Sequence, residues 1–250
     1  MPRRRLLLHH HQTAYEPETL ELPEEVVIPK KNAPSVNGTL RQTALRVPEV
    51  TWQCSGIMVF GKKIRSLVFS TDLAIIKNIN ADAIIAVYPF TPQPAITQAI
   101  IGVSEVPVFC GVGGGLTNGV RSASMAAYVE HQGAYGVVCN SKIGVETIHA
   151  IKDAVEIPVV YTVISENTDI QPYLTAGVDI INVSGAARTP EIVGTLRQRY
   201  PELPIIATGG PTEESILATI RAGANAITYT PPSSASLFAK TMADNRSELE

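Results

Sequence analysis

With 250 residues, 45% of them hydrophobic and 17% charged, the chain can bury one large core, roughly 70% of the surface its unfolded form exposes. A formal net charge of -3 supplies no broad positive field for a phosphate backbone. No apolar run approaches the roughly 20 residues that cross a bilayer, so neither nucleic acid nor membrane is an expected partner.

In chain order, the opening MPRRRLLLHHHQ has an apolar stretch of only Leu6 to Leu8, too short for a secretory leader. The acidic, Pro-containing stretch that follows has no sustained period. Residues 1–48 are therefore expected to form an N-terminal arm or disordered tail, with His9 to His11 solvated rather than holding a metal. Residues 49–246 form the expected single domain. It opens with IMVFGKKIRS, read as a hairpin through Gly61, Lys62 and Lys63.

From Ile64 onward, apolar runs alternate with helical spacing. IRSLVFST at 64–71 is the first expected strand. Three strands follow an acidic-apolar-Pro lead, EVPVFCG at 105–111, EIPVVYT at 156–162 and ELPIIAT at 202–208. Four follow a small-residue turn, NADAIIAVY at 80–88, QGAYGVVCN at 132–140, AGVDIINVS at 176–184 and AGANAITYT at 222–230. Near-continuous hydrophobicity marks them as parallel strands buried on both faces. Between them lie amphipathic segments such as PAITQAIIGV, VETIHAIKDAV and EESILATIRAG, and ASLFAKTMAD closes the series. Eight βα units predict an α/β fold, a (β/α)8 TIM barrel with the hairpin plugging its amino-terminal end.

Barrel chemistry sits on the carboxyl ends of the strands and the loops after them. Those positions hold Asp72, Tyr88, Cys110 with GVGGG, Asn140, Lys142, Thr162, Glu166, Asn182, Arg188, Thr208, Gly209, Gly210, Thr228, Thr230, Ser233 and Ser234. Gly209 and Gly210 end the seventh strand with bare backbone, and Ser233 or Ser234 caps the last helix. Together they are either a phosphate cup of free N–H groups or merely a tight strand exit and a helix cap. Asp72 and Glu166 are either a general acid and base aimed at one carbon, or a helix cap and a polar-loop residue. Lys142 is either an amine for a substrate carbonyl or a solvated residue at the start of a helix. Arg188 is placed to pair with a second anionic group, or lies on the surface. Cys110 has no histidine near it, since His131 and His149 fall on helices, and reads as buried and inert. With Asp72, Glu166 and Asp169 as the mouth carboxylates and no histidine at a strand end, no metal cage is expected. The three cysteines, Cys54, Cys110 and Cys139, lack paired spacing, which points to a reducing, cytoplasmic setting.

The stretch PIIATGGPTEESILATIRAGANAI resembles the last strands of the ribulose-phosphate-binding barrels and of keto-deoxy-phosphogluconate aldolase, and VFGKKIRSLVFSTD resembles the start of thiazole synthase. Residues 55–243 as a whole resemble bacterial barrels with only a generic hydrolase label. The resemblance implies phosphate binding by Gly209, Gly210 and the helix beginning near Ser234. It departs where those enzymes carry a Schiff-base lysine on an inner strand, for INVSG and VFCGV have none. Lys142 stands where transaldolase-type barrels place theirs. The expected activity is lyase or isomerase chemistry on a sugar phosphate or phosphorylated keto acid, without an organic cofactor. The alternatives are a sensing barrel without turnover, like the glycerol-responsive antiterminator barrels, and a phosphate-ester hydrolase. Exposed Leu and Phe positions leave pairing of barrels into a homo-oligomer open.

Overall fold

The structure is a computed structural model that describes residues 45 to 248, with 34, 36 and 38. The expected arm and its histidine run therefore lie largely outside the described residues. Ten strands occur among those described. Strands β1 (Ile57–Val59) and β2 (Lys62–Ile64) form the antiparallel hairpin. Its turn is Phe60-Gly61, both at positive φ (45° and 77°), the combination a two-residue type I′ turn requires. The expected turn lay one residue later. A phenylalanine in the left-handed region is uncommon enough to hide the true one.

The remaining strands are β3 (Ser66–Phe69), β4 (Ala83–Ala86), β5 (Val108–Gly113), β6 (Gly136–Cys139), β7 (Val159–Val163), β8 (Ile180–Val183), β9 (Ile205–Thr208) and β10 (Ala226–Tyr229). All pair in parallel, and β10 closes on β3, giving the eight-stranded (β/α)8 barrel. Helices α1 (Leu73–Lys77), α2 (Pro94–Val103), α3 (Val120–His131), α4 (Val145–Lys152), α5 (Gln171–Thr175), α6 (Thr189–Arg199), α7 (Glu213–Arg221) and α8 (Ser234–Ser247) follow their strands in turn.

Alternation along each strand splits the apolar residues into two cores. Outward residues such as Val68, Cys110, Cys139, Ile181 and Ile227 join the helices. Inward residues Leu67, Phe109, Val160, Ile180 and Ile206 fill the amino-terminal half of the lumen, together with Ile57, Val59 and Ile64 of the hairpin. The hairpin thus seals the end opposite the mouth. The small-residue turns also register the strands. Asp82, Asp179 and Asn225 accept from the backbone N–H of Arg65, Val159 and Ile205, at 2.8, 2.8 and 2.9 Å.

Helix α8 forms where the sequence places it but buries no residue, and Phe238 is 68% exposed. The core that contains Val68 and Ile227 is completed instead by Val47 and Val50, ahead of the hairpin. The 3-10 turn Glu49–Gln53 packs there against α7. No helix among the described residues is long and apolar enough to cross a membrane.

Candidate functional site

Above the apolar plug, the lumen opens into a cavity of about 590 Å³ at the carboxyl-terminal mouth. Its floor is Ile85 and Val138, and its deep wall is a neutral polar ring of Thr162, Asn182, Thr208 and Thr228, one residue from each of β7 to β10. These are inward positions at the ends of their strands, so the pleat that buries Ile180 and Ala226 below them aims them into the mouth. Tyr88, Phe90 and Leu116 form the outer rim, with Tyr88 as a wall as expected. Its hydroxyl accepts from the Gln93 N–H at 2.8 Å.

Two atoms of the ring have no partner. Asn182 donates through Nδ2 to Thr162 Oγ1 at 3.3 Å, while its Oδ1 is buried and unpaired, as is Thr228 Oγ1. Buried polar atoms are nearly always hydrogen-bonded, so these two stand out on the cavity wall.

Among the described residues, Lys142 is the one charged side chain on the lining. It stands in the loop between β6 and α4, ahead of the helix rather than in its first turn. The Gly-rich loop after β5 shapes the same side. Gly114, at φ 104°, lies so close to Asn140 that a Cβ would come within 2.8 Å of its backbone, and the Asn140 N–H donates to Gly113 O at 2.9 Å. The glycines therefore let two mouth loops touch. Cys110 faces the helices, and burial pushes its thiol up to about 12, which makes it inert.

The other expected site residues lie elsewhere. Glu166 and Arg188 come together, but with each other, as an ion pair between the loops after β7 and β8, off the cavity lining. Arg188 also reaches Glu191 at 3.6 Å. Asp72 caps α1, accepting from the Ala74 and Ile75 N–H groups. Its second oxygen accepts from the Ser234 N–H at 3.1 Å. The Ser234 contact, with the Ala74 and Ile75 amides, holds the Asp72 carboxyl below its ordinary value. A carboxylate thus already occupies the α8 amide that the expected cup would offer to phosphate. Ser233 accepts from the Ser236 N–H at 3.1 Å. The Gly209 N–H donates to Thr228 O at 3.2 Å, and its missing side chain makes room for Ile216 and Ile227. Gly210 borders a second cavity of about 680 Å³ that shares Thr208, Thr228 and Thr230 with the mouth. Arg46 stands on its wall, ahead of the expected domain start at residue 49.

No protein-family model and no curated protein sequence matches the chain. Solved structures do. A 2,3-dimethylmalate lyase of the PEP mutase/isocitrate lyase superfamily is 14% identical with a TM-score of 0.59, covering 80% of this chain and 82% of that one. A phosphonopyruvate hydrolase in complex with oxalate and Mg++ is 15% identical (TM-score 0.56; 76% and 82% covered). A phosphoenolpyruvate phosphomutase from Streptomyces platensis subsp. rosaceus is 16% identical (TM-score 0.56; 72% and 80%). The likeness is one of fold. These structures include PEP mutase/isocitrate lyase superfamily barrels, whereas the seventh-strand segment resembles the ribulose-phosphate-binding and keto-deoxy-phosphogluconate aldolase barrels. Among the described residues, no carboxylate lines the mouth and no three His, Cys, Asp or Glu side chains cluster to hold a metal.

Proposed function

We propose that the mouth binds a small phosphorylated carbonyl compound, a sugar phosphate or keto acid, and acts on it as a lyase or isomerase through Lys142. The observation that carries this reading is the lining itself. A single cation, Lys142, stands over a neutral ring of hydroxyls and an amide with two unpaired buried atoms. The volume of about 590 Å³ is within the range of small-molecule sites. Lys142 supplies a positive charge for the ligand's anionic group or, deprotonated, an amine for its carbonyl carbon. The Thr and Asn side chains orient the carbonyl and its neighbours by hydrogen bonds. Of the compounds named for the neighbours, phosphonopyruvate is a keto acid carrying a phosphonate, and 2,3-dimethylmalate is an unphosphorylated hydroxy acid.

A sensing barrel without turnover is the second reading, favoured by the lack of any carboxylate or histidine among the described residues of the lining. Incubation with a ketose phosphate, borohydride reduction and intact-mass measurement separates the two. The lyase reading expects a covalent adduct on the wild type that is absent from Lys142→Met. Saturable binding without an adduct would assign sensing, and release of inorganic phosphate would assign hydrolysis.

A further inference from the structure

The two unpaired atoms say more than that a ligand binds. As the Asn182 amide is held, one Nδ2 hydrogen goes to Thr162 Oγ1 and the buried atom with no partner is Oδ1. A carbonyl oxygen only accepts. Its partner must therefore bring a hydrogen. Phosphate, carboxylate and keto groups all present acceptors alone, so a phosphorylated keto acid without hydroxyls leaves Oδ1 unpaired on binding. Thr228, on the strand next but one in the barrel, is 6% exposed, and its hydroxyl oxygen is likewise without a partner. Between them stands Thr208, a third hydroxyl. A hydroxyl can both donate and accept, which matches an alcohol group and satisfies Asn182 Oδ1 and Thr228 Oγ1 together.

The charge on the lining is graded in depth. The ring from Thr162 to Thr228 is uncharged, whereas Lys142 is exposed in the loop above it. A charged group driven into the ring would lose its water against neutral dipoles, but beside Lys142 it keeps both water and a countercharge.

Resting on the phosphorylated-ligand reading above, we infer that the ligand is a hydroxylated one, a ketose phosphate rather than a keto acid. It enters alcohol end first, with its terminal hydroxyl on Asn182 and Thr228 and its phosphate outward at the solvent side of the mouth. Specificity for the hydroxyl rests on Asn182, because a site built to pair an OH rejects the analogue that lacks one. This selects against hydroxyl-free acids such as the phosphonopyruvate and phosphoenolpyruvate named for two of the structural neighbours.

The test is calorimetric titration of the whole chain with ketose phosphates of three to six carbons, with 1-deoxyfructose 6-phosphate, and with phosphoenolpyruvate as the hydroxyl-free phosphorylated acid. The wild type is expected to bind a ketose phosphate at least tenfold more tightly than the deoxy compound or phosphoenolpyruvate. Asn182→Leu is expected to erase that preference, weakening the ketose phosphate while leaving phosphoenolpyruvate unchanged. Thr228→Val, which keeps shape, serves the same purpose if Asn182→Leu does not fold. Phosphoenolpyruvate binding as tightly as the ketose phosphates, and lost in Lys142→Met, would overturn the inference and leave the broader reading standing. If no phosphorylated compound of either class binds, both fall.

Discussion

Asp72 Oδ2 and the backbone N–H of Ser234 meet at 3.1 Å across 162 positions of sequence, so one carboxylate caps the first helix of the barrel and the last. Because α8 buries no residue of its own, this contact and the Ser233 cap are among its few attachments. Asp72→Ala is expected to lower stability by about 1 kcal/mol and to increase amide exchange in α8 more than in α2 to α7. Equal exchange throughout would show that α8 is held by something else.

The same carboxyl has a pH consequence. Its value is depressed below the ordinary 3.8, chiefly by the contact with Ser234 and then by the α1 amides. The contribution is complete above the unfolded value and is lost as pH falls through the lower folded one. Wild type and Asp72→Asn should therefore differ in urea midpoint near neutrality and converge below pH 3.8. A gap that persists there would contradict the ionic origin.

Gly114 joins two loops of the mouth. At φ 104°, with Asn140 within 2.8 Å of any added Cβ, Gly114→Ala combines backbone strain with a collision against backbone that cannot swing aside. A loss of about 2 kcal/mol is expected, measured by urea unfolding, together with weakened ligand binding as the Lys142 loop is pushed outward. An unchanged midpoint would mean that the loops adjust independently.

Thr228→Val tests whether the ring is held ready for a ligand at the expense of the empty protein. An unpaired buried hydroxyl is a liability of about 1 kcal/mol or more, so the valine variant is expected to melt at the wild-type temperature or above. A clear drop in melting temperature would show that the hydroxyl already has a structural partner.

The barrel was legible because its signal repeats. Pro107, Pro158 and Pro204 lead strands at near-equal spacing, and the turns ending in Asp82, Asp179 and Asn225 mark the alternate ones. What local pattern could not show was partnership across the mouth. Glu166 and Arg188, 22 residues apart, were both placed correctly at strand ends, yet nothing in either segment says that they neutralise each other. The sequence around Asp72 favours a cap over an acid only slightly, and its contact with Ser234, 162 positions away, has no local signature. The threonines of the ring were visible as strand ends, but only barrel closure converges them. Arg46 gave no signal, since its role as a cavity wall depends on how the segment before the hairpin packs. Helix α8 had the right period and the wrong destination, because Val47 and Val50 complete the core.

The most direct test of the mouth as the ligand site compares the melting temperatures of wild type and Lys142→Met across a titration of ketose phosphate. A ligand bound only to the folded form raises stability in proportion to the logarithm of its concentration. The wild type is predicted to rise in this way and Lys142→Met to stay flat, while both start from the same unliganded temperature. An equal rise in the two proteins would place the ligand somewhere other than the cavity beneath Lys142.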